Sequence, residues 1–119
     1  MTRKTQQRSA IRQVFDEIER PLSAPEVLQA AQDLAPGLGI ATVYRNIKSM
    51  TAEGLLKIVE LPGDPNRFER ADRPRNLYFR CRNTQKVFSF NADVPRLQSL
   101  LPDDFKIEQA VLFVEGTRS

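Results

Sequence analysis

Apolar residues recur at Ile11, Val14, Phe15 and Ile18. That i, i+3, i+4, i+7 spacing predicts an amphipathic helix over about residues 6–19, with Thr5 as its N-cap. Arg20-Pro21 ends it, because the residue before a proline is held out of the α region. Ser23-Ala24-Pro25-Glu26 then reads as a capping box, with its proline in the first turn, where no N–H is needed. The second helix runs to about Leu34 and turns Val27, Leu28, Ala31 and Leu34 inward. Pro36-Gly37-Leu38-Gly39 is a turn. A third helix is expected from about Ile40 to Glu53, stopping at Gly54, with Val43, Ile47 and Met50 as its buried stripe.

Beyond Gly54 the period changes. Leu55 to Leu61 is β-rich, Pro62-Gly63-Asp64-Pro65-Asn66 is a turn, and Arg67-Phe68-Glu69-Arg70 returns as the paired strand. Three helices followed by a β-hairpin is the order of a winged helix-turn-helix. The polar stretch Ala71 to Asn76, which holds Pro74, reads as a linker. Strands are expected at Leu77 to Arg82, Lys86 to Phe90 and Phe105 to Glu115, with a helix at about Asp93 to Leu101 bounded by Pro95 and Pro102. The fold class is therefore α+β. Residues 1–70 form a winged-helix domain, 71–76 a linker and 77–119 a small α/β domain.

The last expected strand is apolar on both faces. Phe105, Ile107, Val111 and Phe113 share one, and Ala110, Leu112 and Val114 share the other. One short helix and a two-stranded partner cannot cover both. A second copy of the chain is the economical cover, which makes these seven residues the candidate dimer interface. The alternative is a monomer in which one face packs on the short helix and the other on the winged helix.

Composition narrows the chemistry. No apolar run approaches the roughly 20 residues of a membrane span, and Met1 to Gln6 lacks the apolar centre of a signal peptide. One cysteine, Cys81, leaves no internal disulfide to form. The expected location is the cytoplasm, with no membrane partner. The absence of histidine removes the commonest general base and the commonest metal ligand together. With no Gly-rich phosphate loop and no nucleophile–base spacing either, the chain does not read as an enzyme. Its net charge of +3 is modest, but Arg3, Lys4, Arg8 and Arg12 all precede the first acid, Asp16.

On a helical wheel of the third helix, Ala41, Arg45 and Lys48 lie opposite the apolar stripe, with Tyr44 on the flank. A major-groove helix needs that combination. Arginine makes a bidentate bond to guanine, tyrosine lies against a thymine methyl, and alanine lets the backbone approach. Thr42, at the helix start, is placed for a phosphate. A plain surface helix with a few charges accounts for the same wheel.

The run Ala41-Thr42-Val43-Tyr44-Arg45-Asn46, followed by Gly54-Leu55-Leu56 and Arg67-Phe68-Glu69, resembles the signature of the ferric uptake regulator superfamily. Thr5-x-Gln7-Arg8 and Pro21-Leu22-Ser23-Ala24-x-Glu26 match the same family upstream. Cys81, Lys86-Val87-Phe88-x-Phe90, Phe105-x-Ile107 and Leu112-x-x-x-Gly116 continue the likeness downstream. The resemblance implies a winged helix, an α/β dimerisation domain, and a homodimer on AT-rich inverted repeats of double-stranded DNA. It places Tyr44 and Arg45 at bases, Arg3 in the minor groove, and Thr42 and Arg8 at phosphates. Arg67, on the returning wing strand, joins the candidate DNA contacts.

The departures concern metal. The His-rich stretch expected after the linker reads Arg75-Asn76-Leu77-Tyr78. The first Cys-x-x-Cys pair keeps Cys81 but has Thr84 in second place, and the histidine of the last strand is Ala110. The expected cofactor set is therefore empty, leaving scattered carboxylates such as Asp72, Glu108 and Glu115. Two readings remain: a metal-independent DNA-binding regulator, or a protein-interaction module that pairs with a metal-sensing relative.

Overall fold

In the computed structural model, which describes residues 2–119 with the side chain of Val94 excepted, the first helix, α1, runs Arg3–Glu17 and is capped by Thr2 rather than Thr5. The Thr2 hydroxyl accepts from the Thr5 N–H at 3.1 Å. The extra turn is polar throughout, so hydrophobic spacing could not report it. The second helix, α2, runs Ala24–Ala31 behind the expected capping box: Ser23 Oγ accepts from the Glu26 N–H, and Glu26 Oε1 accepts from the Ser23 N–H at 3.0 Å. It ends before Leu34, which is exposed. Ala35 and Leu38 take the core positions instead, because Pro36 holds Ala35 out of a continuing helix. The third helix, α3, runs Ile40–Ala52 with Val43, Ile47 and Met50 buried. Gly54 follows at φ +81, a left-handed conformation that glycine adopts without strain.

Three short strands complete this first unit, which extends to Arg73: β1 (Leu22–Ser23), β2 (Leu56–Val59) and β3 (Arg67–Arg70). Their order is β1-β3-β2, all antiparallel, with Leu22 and Ile58 both opposite Phe68. Sequence reading saw β2 and β3 but not β1, whose two residues also open α2. Leu56 and Phe68 close the core against Ile11, Phe15, Val27, Val43, Ile47 and Met50. Each such buried side chain contributes about 1.5–3 kcal/mol from removal from water. This unit is a winged helix-turn-helix.

The second unit, from Pro74 on, contains β4 (Leu77–Cys81), β5 (Val87–Phe90), a helix α4 (Val94–Gln98) and β6 (Leu112–Gly116). The sheet order is β5-β4-β6, antiparallel on one side of β4 and parallel on the other. Leu77, Phe79 and Cys81 share one face with Phe88, Phe90, Leu112 and Val114. Tyr78 and Arg80 share the other with Val87, Phe113 and Glu115.

The last strand is much shorter than expected. Phe105, Ile107, Ala110 and Val111 lie outside it, and Val111 is 63% exposed. Leu112 lies opposite Leu77, the first residue of β4, so in this register residues 105–111 would fall opposite 70–76, before β4 begins. The Phe105 N–H instead bonds to Pro102 O, and the Ile107 N–H to the Gln98 side chain at 2.9 Å. The two continuous apolar faces expected over 105–114 therefore do not exist as such. Leu112, Phe113 and Val114 keep the alternation. Cys81 is 1% exposed. Hydrogen bonds from the Thr84 hydroxyl and backbone hold its thiol down at about 7, but the sulfur is sealed from solvent.

Candidate nucleic-acid interface

The buried stripe of α3 fixes which way the helix faces. With Val43, Ile47 and Met50 against the core, Ala41, Tyr44, Arg45 and Lys48 are left in solvent. Thr42 is half-buried at the helix start. Its Oγ1 accepts from Arg45 Nη2 at 2.9 Å, and its carbonyl accepts from Asn46 Nδ2. The arginine is thus held alongside the helix rather than extended. Lys4, Gln7, Thr42, Arg45 and Asn46 line a shallow depression between the start of α1 and the start of α3. A polar hollow of that kind, rimmed by two cations, suits a phosphate oxygen better than an apolar ligand.

Arg3 sits in the first turn of α1, exposed. Its guanidinium lies beside Gly37, where a Cβ would approach it to 3.3 Å. Arg8 is one turn further along. It donates to Glu53 Oε2 at 2.5 Å and to Ser49 Oγ at 3.4 Å, joining α1 to the end of α3. A phosphate at Arg8 has to compete with that carboxylate.

Arg67 departs from its expected role. Its side chain is 5% exposed and is enclosed by carboxylates: Nε donates to Asp64 Oδ2 and Nη1 to Glu26 Oε1, each at 2.5 Å. Arg20 donates to the other Glu26 oxygen at 2.7 Å. Burial opposes the Glu26 charge, but the Ser23 N–H, Arg20 and Arg67 outweigh it, so the carboxyl titrates below its ordinary value. Arg67 is therefore a brace between the wing and α2, and a duplex would meet it only after breaking these pairs. Asp64 lies only three positions away in the wing turn, but Glu26 lies 41 positions away, and local spacing does not show that the two carboxylates meet on one arginine.

The model of the ferric uptake regulator family matches residues 1–114. The ferric uptake regulation protein of Pseudomonas aeruginosa is 32% identical over 93 residues, which are 76% of this chain and 69% of that protein. The solved structure of the Pseudomonas aeruginosa ferric uptake regulator with manganese is similar with a TM-score of 0.63 at 28% identity, covering 93% of this chain and 86% of that one. A zinc-bound manganese uptake regulator superposes with a TM-score of 0.83 over 95% of this chain and 88% of its own, and at 19% identity it shares the fold.

Proposed function

The chain belongs to the ferric uptake regulator family, and we propose that it is a sequence-specific DNA-binding transcription regulator, a repressor, acting as a homodimer on AT-rich inverted repeats without a regulatory metal. The observation that carries this reading is the solvent face of α3. Ala41, Tyr44, Arg45 and Lys48 all point away from the core, on a helix whose orientation the buried stripe determines. Arg45 and Tyr44 read base edges, Thr42, Arg8 and Lys48 meet phosphates, and Arg3 reaches the adjoining minor groove.

Manganese and zinc are named for the two structures above, so the donor set of this chain needs its own test. Transition-metal sites are built from imidazole, thiolate and carboxylate. This chain has no histidine, and its one thiol is sealed inside β4. Among the described residues no three His, Cys, Asp or Glu side chains gather around one point. Asp72 is engaged by Arg70, whose hydrogen bond holds its carboxyl below the ordinary range. Glu115 is paired with Arg80 at 2.7 Å. These residues do not fit the metal.

The homodimer rests on the second unit. The sheet face of Leu77, Phe79, Phe88, Phe90 and Val114 lines an open apolar concavity of about 560 Å³. A copy related by a two-fold axis would cover it and set two α3 helices on an inverted repeat. Selection of bound sequences from random duplex DNA, with and without chelator, tests the reading. Recovery of the same AT-rich inverted repeat in both arms is expected, and a repeat recovered only with metal would overturn the metal-independent part. The integrity of the α3 face favours direct DNA reading over a role as a modulator of a metal-sensing relative.

A further inference from the structure

Arg8 links α1 to the last turns of α3, donating to Glu53 Oε2 at 2.5 Å and to Ser49 Oγ at 3.4 Å. Lys4 precedes Arg8 by four positions on α1, and Arg45 precedes Ser49 by four on α3, so each pair continues along one helix face. The hollow at Lys4 and Arg45 therefore runs on by one turn to Arg8 and Ser49, a cation and a hydroxyl of the kind a duplex backbone meets. Glu53, four positions beyond Ser49, sets an anion at the end of this row.

The helix itself does not call for a carboxylate there. Glu53 is the C-cap of α3, where the last carbonyls leave partial negative charge and a carboxylate is repelled. The last turn of α3 carries no basic residue, so the offsetting cation comes from α1. Arg8 is 34% exposed and Glu53 51%, so solvent screens the pair, which contributes little to stability and is open to exchange. Arg67 is the contrast: it is buried between two carboxylates and has no such freedom.

We propose that Glu53 is an internal stand-in for a DNA phosphate. It occupies Arg8 in the free chain, gives it up to the duplex backbone, and so holds affinity below what the cations of α1 would otherwise give. The inference rests on the proposed DNA-binding role and adds to it a positioning residue that acts through Arg8. Carboxylate and phosphate are interchangeable partners for a guanidinium, since both offer it anionic oxygens as acceptors. Phosphate contacts carry no sequence information, so the restraint acts alike on the operator and on random DNA. A plain brace that seats α3 predicts the opposite sign, because removing its charge would loosen the reading helix and weaken binding.

The test titrates the full chain, Glu53→Gln, Arg8→Gln and the double variant by fluorescence anisotropy. The probes are a selected duplex and a scrambled duplex of the same length and composition, both at low salt. Glu53→Gln should tighten both duplexes by the same factor, about two- to fivefold. Arg8→Gln should weaken both, and adding Glu53→Gln to it should change nothing further. Weakened or unchanged binding by Glu53→Gln would overturn the proposal in favour of a brace or an idle pair. A gain that persists without Arg8 would overturn it in favour of general repulsion between the carboxylate and DNA. A gain confined to the selected duplex would overturn it too, because the effect would then lie in base reading. A wild-type chain that binds neither duplex would sink the DNA-binding function and this inference with it, whereas the other failures leave that function standing.

Discussion

Arg67 Nη1 donates to Glu26 Oε1 at 2.5 Å across a separation of 41 positions, tying the return strand of the wing to the first turn of α2. The bond is one of a set: the same guanidinium holds Asp64 in the wing turn, and the same carboxylate holds Arg20. Arg67→Met leaves Asp64 buried without its cation, and removing one member of such a pair costs about 3–5 kcal/mol. The expected result is a lower denaturant midpoint with an unchanged slope. A variant of wild-type stability with weakened DNA binding would return Arg67 to the DNA face.

The same cluster sets an acid limit. The Glu26 carboxyl titrates below its ordinary value of 4.5 in the folded chain. A group with a depressed folded pKa stabilises above its unfolded pKa, and that contribution is lost as pH falls through the folded value. Stability should therefore drop below about pH 4.5, and Glu26→Gln should flatten that part of the profile while lowering the plateau at neutral pH. Thermal melts between pH 3 and 7 measure both, and a Glu26→Gln profile parallel to wild type would exclude Glu26 as the source.

Local rules served well where the determinant lay within a few residues. The Ser23 capping box, the 43/47/50 stripe and the Gly54 stop are all short-range, and all appear as read. Two misses are local, the polar first turn of α1 capped by Thr2 and the end of α2 before Leu34. The others are long-range. β1 is a strand only because Phe68 and Arg67 come to lie beside Leu22 and Ser23. Arg67 looked like a surface cation because nothing near it in sequence shows the Glu26 carboxylate. The alternation from Phe105 to Val114 is real, but a strand needs a neighbour, and β4 begins only opposite Leu112.

Arg45→Ala and Tyr44→Ala should each cost on the order of 1–3 kcal/mol of specific binding while leaving weak binding to random duplexes in place. Arg3→Ala should weaken binding and make its salt dependence shallower by about one counterion. Titrations of labelled duplex at several salt concentrations separate the two behaviours. Unchanged operator affinity in both α3 variants would show that another surface reads the DNA.

On the metal-independent reading, purified chain should hold no stoichiometric zinc or iron and should melt at the same temperature with and without chelator, as expected of a fold to which no metal contributes. Elemental analysis showing about one tightly held metal per chain would sink this.

Phe90→Asp tests the dimer. Phe90 is exposed on the open sheet face within one chain, so the variant should fold, and it should place an uncompensated carboxylate in the interface. Sedimentation at micromolar concentration should shift from twice the chain mass to 13.6 kDa, with loss of tight operator binding. A wild-type chain that already sediments at one chain mass and still binds its operator tightly would remove the dimer.

The two residues of β1 have a consequence for biosynthesis. Leu22 and Ser23 leave the ribosome early, but their strand partners are Phe68 and Arg67, and the Glu26 carboxylate waits for the same arginine. The helices can form and collapse as they emerge, yet the reading unit cannot close until the chain is extruded past about residue 70. A chain stalled before that point lacks both the strand that β1 pairs with and the arginine that Glu26 binds, so the wing strand is the last piece that makes the unit whole.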